Sequence, residues 1–138
     1  MATSLPARAW VFALAFALHN AEELLLDLPL WVASRPQLGV LAALQGGGWF
    51  APAALALSIG AVLLALIAAR FPQRWMEFLL RIAAVLMLAN SLSHLAFSIL
   101  AESLMPGTLT ALLVVAPVSL WLLLTPGKKK EPRQAGVR

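Results

Sequence analysis

Residues 8–28 read RAWVFALAFALHNAEELLLDL, an apolar run that is interrupted in its second half by His19, Asn20, Glu22, Glu23 and Asp27. At 1.5 Å per residue the run is long enough to cross a hydrocarbon layer of about 30 Å. A carboxylate at that depth costs about 2.5 to 3.5 kcal/mol on insertion scales. Two adjacent carboxylates therefore imply a compensating metal, a shared proton or a water-filled cavity. The rest of the chain agrees with a bilayer as solvent. Its 138 residues are 62% hydrophobic and 12% charged, with a mean hydropathy of +0.88, far from the composition of soluble domains. Four stretches have spanning length, at about 8–28, 50–69, 78–101 and 108–125. They predict an all-α integral membrane bundle of four transmembrane helices.

The connections carry their own signals. The first runs from Pro29 to Trp49 and contains Pro36 and Gly46-Gly47-Gly48. Within it Gln37 to Gln45 (QLGVLAALQ) is apolar but too short to span, which predicts a short interfacial or re-entrant helix in the first outer loop. Arg70 to Arg74 is a short basic turn, and Pro106-Gly107 stops one helix and starts the next. Residues 126–138 form a basic tail expected to be disordered. An N-terminal secretory signal is disfavoured, because cleavage after Ala21 would set His19 where a small residue is required. The absence of Cys excludes disulfides, thiolate metal sites and cysteine nucleophiles.

Nine of the ten Lys and Arg residues fall on one side of a four-span topology, leaving only Arg35 on the other. The positive-inside rule then places both termini in the cytoplasm and the chain in the inner membrane as a multi-pass protein. Trp10, Trp75 and Trp121 fall near inner helix ends and Trp31 and Trp49 near outer ones, as interfacial rings prefer. The net charge of +4 belongs to this topology and to contact with anionic lipid, and calls for no nucleic acid.

The polar residues are concentrated in two of the spans. The second and fourth hold little beyond Ser58 and Ser119, whereas the third carries Asn90, Ser91, Ser93, His94, Ser98 and Glu102. On a wheel of about 100° per residue, Glu23 lies about 40° from His19 and Glu22 about 60° to its other side. His94 lies about 40° from Asn90, with Ser98 and Glu102 further along the same arc, and Arg81 lies opposite, where it can snorkel to the interface. Counted from Arg8 and Arg81, both histidines sit roughly 16 to 20 Å from the cytoplasmic rim. His19, Glu22, Glu23 and His94 are thus candidate metal ligands at one depth, in the outer half, under an opening expected to face outside. Two His and one Glu with an open fourth position is a common catalytic zinc set, and a carboxylate-rich set also suits iron or manganese. The Glu that does not ligate is a candidate general base. Asn90 or Glu102 is positioned to orient a histidine. Glu22, Glu23 and Asn90 are therefore the catalytic candidates.

His19-Asn20-Ala21-Glu22-Glu23, the later His94 and the Pro106-Gly107 pair resemble the HXXEE family of small bacterial and archaeal integral membrane proteins, over about residues 10–115. The resemblance implies a shared site of His19, Glu22, Glu23 and His94 and no particular reaction. The family's Tyr-x-Pro-Gly stands here as Leu104-Met105-Pro106-Gly107, in a chain without Tyr.

Three function classes follow. The first is a metal-dependent membrane hydrolase or isomerase acting on a lipid-like substrate from the outer side. The second is a proton-coupled small-molecule transporter, similar in outline to small multidrug resistance transporters and hence a possible homodimer. The third is a non-catalytic subunit binding a cofactor, pigment or partner helix. Haem is disfavoured by the anionic pair beside His19 and by the lack of a c-type attachment motif.

Overall fold

A computed structural model describes residues 4–39 and 48–125, and every regular element among them is helical. The order is α1 (Leu5–Leu25), a short α2 (Leu28–Ala33), a single 3-10 turn (Pro36–Leu38), α3 (Phe50–Arg70), α4 (Arg74–Leu100) and α5 (Thr108–Leu124). The all-α expectation is met. Most of the apolar segment 37–45 and all of the tail 126–138 lie outside the described residues.

Local sequence sets the boundaries. Ser4 caps α1 by accepting a hydrogen bond from the Ala7 N–H, and Pro6 sits in the first turn, where its missing N–H costs nothing. The helix stops at Leu25, short of the expected residue 28. Asp27 takes the left-handed conformation (φ 50°), and its carboxylate accepts from the Leu30 N–H to start α2. Asp27 is therefore a cap and not part of the polar face. In α5, residues Ala111–Val115 are π-helical. This segment ends two residues before Pro117, which has no N–H to offer the carbonyl of Leu113.

Two of the four expected spans, α3 and α4, are both long and apolar enough to cross a membrane. The first run falls short because α1 carries Arg8, Glu22 and Glu23, and the fourth because α5 is short.

Side by side the long helices run α3, α1, α5, α4. α1 packs chiefly on α3, and α5 chiefly on α4, while α3 and α4 do not pack as a pair despite a link of only residues 71–73. α3 meets α1 through a stripe of buried alanines, Ala54, Ala61, Ala65 and Ala68, which lets the two backbones approach closely. Ala9, Phe12 and Ala13 of α1, Met76, Leu80 and Ala84 of α4, and Leu122 of α5 complete this core. A smaller apolar knot joins Leu28, Val32 and Met105 to Trp31, Phe50 and Phe97.

At the opposite end of α1 the helices are tied electrostatically. Buried Arg8 donates to Glu77 at 3.2 Å, and Arg81 lies 3.5 Å from the same carboxylate oxygen. Arg81 also donates to the terminal carbonyls of α5, at Leu123 (3.3 Å) and Thr125 (2.7 Å). Expected to reach out to an interface, this residue is 36% exposed at its side chain and also caps a neighbouring helix.

Polarity runs from inside to outside. His19, Asn20, Glu23, Ser91, His94 and Ser119 are buried, whereas Leu14, Leu57, Phe78, Leu86, Ile99 and Leu113 are exposed. Because the α1/α3 contact depends on alanine-sized side chains, Ala65→Leu at a fully buried position is expected to destabilise the fold by about 1 to 3 kcal/mol. Thermal unfolding of the purified variant in detergent measures this.

Candidate metal centre

His19 and Glu23 stand one turn apart on α1 and so share a face. Their face meets His94 of α4 with Glu23 at the centre. Oε1 of Glu23 is 3.0 Å from Nε2 of His94 and 3.3 Å from Nε2 of His19. The imidazole rings meet edge to face, with centroids 4.9 Å apart at 76°. All three side chains are buried, and one ligand atom from each lies within 4.8 Å of the others. Bonds of 2.0 to 2.1 Å to a tetrahedral ion require ligand atoms about 3.3 Å apart. Two of the edges already match, so this group could hold a metal ion.

The hydrogen bonds around His19 define which nitrogen faces the group. Nδ1 lies 3.1 Å from the Thr110 hydroxyl, and that hydroxyl donates to the carbonyl of Gly107 at 3.2 Å. With its proton so used, Thr110 accepts from Nδ1–H of His19. Nε2 then presents a lone pair towards the Glu23 carboxylate. The Asn90 amide, 3.0 Å away, donates to that lone pair, and the Glu23 carboxylate oxygen lies 3.3 Å from the same nitrogen, so a metal ion bound at Nε2 would take the place of the Asn90 contact. Nε2 of His94 is turned to the same carboxylate oxygen at 3.0 Å, and its Nδ1 is buried without a hydrogen-bond partner.

Gly107 closes the site from α5. Its φ of +90° is one that L side chains rarely adopt, and a Cβ there would come within 2.8 Å of Glu23 Cγ, 2.8 Å of His94 Cε1 and 2.9 Å of His19 Cε1. The loop that carries Gly107 is pinned by Ser98. Its hydroxyl bonds to the His94 carbonyl (2.7 Å), the Met105 N–H (3.0 Å) and the Thr108 hydroxyl (2.8 Å). On the far side, Arg35 donates to Ser103 at 2.9 Å.

Of the residues singled out from the sequence, His19, Glu23 and His94 are brought together. Asn90 joins them, with its side-chain amide 3.0 Å from Nε2 of His19. Glu22 is outside the group. It lies about 100° round the helix from Glu23 and accepts from the Thr110 N–H at 2.8 Å, so it anchors the start of α5. Glu102 is exposed, with a left-handed backbone (φ 49°), and orients neither histidine. Leu104, at the position of the family's Tyr, is 66% exposed and contributes nothing to the cluster. Gly107 and Thr110 were not anticipated. The signal available for them was the Gly-Thr-Leu-Thr sequence directly after Pro106, a turn glycine followed by two hydroxyls at the start of a helix.

Gly107 and the knot of Leu28, Val32 and Met105 cover the cluster at the end of α1. A cleft of about 230 Å³ reaches it between α3 and α4, lined from Trp49 and Phe50 at the start of α3 to Leu57. Its polar floor is His19, Asn20, Glu23 and Asn90, and its walls include Phe16, Phe50, Leu57 and Met87. Asn20 is held there by donating to the Ala54 carbonyl (3.1 Å) and the Ser58 hydroxyl (2.8 Å) of α3.

Two substitutions separate support from ligation. Gly107→Ala is expected to abolish metal binding while helix content by circular dichroism stays at the wild-type level. Thr110→Val, which keeps the shape but removes the His19 partner, is expected to weaken metal affinity about 10- to 100-fold. Thr110→Ser restores it, as measured by chelator competition.

No curated protein and no solved structure matches the chain. The model of one protein family, described as proteins of unknown function with an HXXEE motif, matches residues 10–122. These residues contain the whole cluster, from His19 to Thr110, and the chain belongs to the HXXEE family.

Proposed function

We propose that this protein is a four-helix membrane protein with both termini cytoplasmic, whose His19, Glu23 and His94 hold a divalent transition metal within the bilayer. In this reading it is a metal-dependent hydrolase or isomerase for a lipid-like substrate. The observation that carries the proposal is the set of three buried ligand atoms within 4.8 Å of one another. The membrane setting is supported by the apolar exterior and polar interior, and by two helices long and apolar enough to span. α1 and α5, paired with them, are carried across by burying their polar groups against one another. Zinc is the first choice because two imidazoles and one carboxylate match its preferred donors, and iron or manganese would accept the same set.

A bound ion would supply Lewis acidity at its open coordination position. The chain's own residues would do the rest. Glu23 and the two imidazoles fix the ion's place and partly neutralise it. Thr110 keeps His19 in the tautomer that offers Nε2. Asn90 stands at the cleft side of the cluster, where its amide can bind a substrate oxygen. Glu22, engaged with Thr110, acts as a positioning residue for His19. Transport is less well supported, since a carrier needs access from both sides and the Arg8, Glu77 and Arg81 knot closes the other end.

Elemental analysis of gently purified protein tests the reading. About one transition-metal ion per chain is expected, lost in both His19→Ala and His94→Ala and retained in Glu22→Gln at lowered affinity. Well-folded wild-type protein that stays free of metal after metal is offered would overturn it.

A further inference from the structure

The cleft that reaches the cluster is built by three helices. α1 provides the floor, α3 one wall through Trp49, Phe50, Ala53, Ala54 and Leu57, and α4 the other through Met87 and Asn90. Among the described residues none of α5 takes part. Because α3 and α4 do not pack as a pair, the mouth lies between them, and its α3 side runs from Trp49 and Phe50 at the start of the helix to Leu57, two turns further along. Leu57, 60% exposed, stands at this mouth. In a bilayer the Leu57 side of the mouth would face hydrocarbon and the Trp49 side the outer interface.

Size and charge define what fits. Sites that enclose a whole drug-sized ligand have about 300 to 1,000 Å³, and this cleft has about 230 Å³. It can take one end of a long molecule but not the whole of it. Among the described residues the lining contains no Lys or Arg. The one charge on the floor, Glu23, is negative. A phosphate headgroup would find no side-chain cation there, whereas a neutral oxygen would find Asn90 and the cluster.

We infer that the cleft between α3 and α4 is the binding site for the oxygen-bearing end of a neutral, single-chain lipid, such as a fatty ester, which enters sideways from the bilayer. Its polar end meets Asn90 and the His19, Glu23 and His94 cluster, and the remaining chain leaves between Leu57 and Met87 into hydrocarbon. This deepens the reading of the site as a metal centre for lipid-like substrates and rests on it for the chemistry at the floor.

Photolabelling of the full chain in phosphatidylcholine nanodiscs tests the inference, with a palmitoyl ester bearing a diazirine next to the ester group as probe. Labelling is expected on segments of α1, α3 and α4 that line the cleft. Unlabelled palmitoyl methyl ester should compete, while methyl butyrate and inorganic phosphate should not. Ala53→Trp and Leu57→Trp, which fill the mouth, should each lower labelling about tenfold, equivalent to about 1.4 kcal/mol. Leu113→Trp, on an exposed face of α5, should leave it unchanged. Metal content measured on the same samples shows whether the cluster has stayed intact. Normal metal content with labelling indifferent to both mouth variants would overturn the inference, as would labelling confined to α5 or equal competition by phosphatidic acid. Metal-free protein that still labels in the cleft, with the expected dependence on mouth and chain length, would support the lipid site and remove only the metal reading.

Discussion

The carboxylate of Glu23, 7% exposed and wedged between two imidazoles, is the constraint from which the rest of the molecule follows. A charge removed from water must be matched at close range by donors or by a cation. Here the match comes from two helices whose backbones stay apart and which meet through long side chains. The junction between α4 and α5 lies directly on the cluster between them. That is why Gly107 must lack a side chain and why Ser98, Thr108 and Thr110 hold the turn from both sides.

Seen from Glu23, the sequence His-x-x-Glu-Glu has a division of labour. The histidine and the second glutamate face inward as candidate ligands. The first glutamate faces the start of α5 and holds the Thr110 N–H, while the hydroxyl of the same Thr110 holds His19. A single threonine therefore couples both glutamate positions to the tautomer of the histidine. This coupling accounts for two adjacent carboxylates in an apolar helix without requiring both to bind the same ion.

The helix order places access. With the alanine stripe drawing α3 against α1, and α5 filling the other side, the cleft beside the cluster opens at the junction between α3 and α4. The end of the bundle nearest the cluster is filled by Leu28, Val32 and Met105, and the far end is tied by Arg8, Glu77 and Arg81. In the proposed reading such a route would let a molecule dissolved in the bilayer reach the polar floor without leaving hydrocarbon.

The sequence by itself determined that the protein is helical, where most helices fall, and that His19, Glu23, His94 and Asn90 belong to one site. Helical periodicity fixes which residues share a face, and similar distances from Arg8 and Arg81 give similar depth along two helices, so both follow from local geometry. Local geometry does not give rotation about the helix axes relative to a neighbour. Glu22 and Glu23 both lay within reach of the polar face, and only the position of α5 turned the first to Thr110 and the second to the histidines. The roles of Gly107 and Thr110, the capping duty of Arg81 and the sideways cleft arise from contacts between residues far apart in the chain. Such contacts leave no periodic trace in the sequence, and they were decided by the tertiary structure alone.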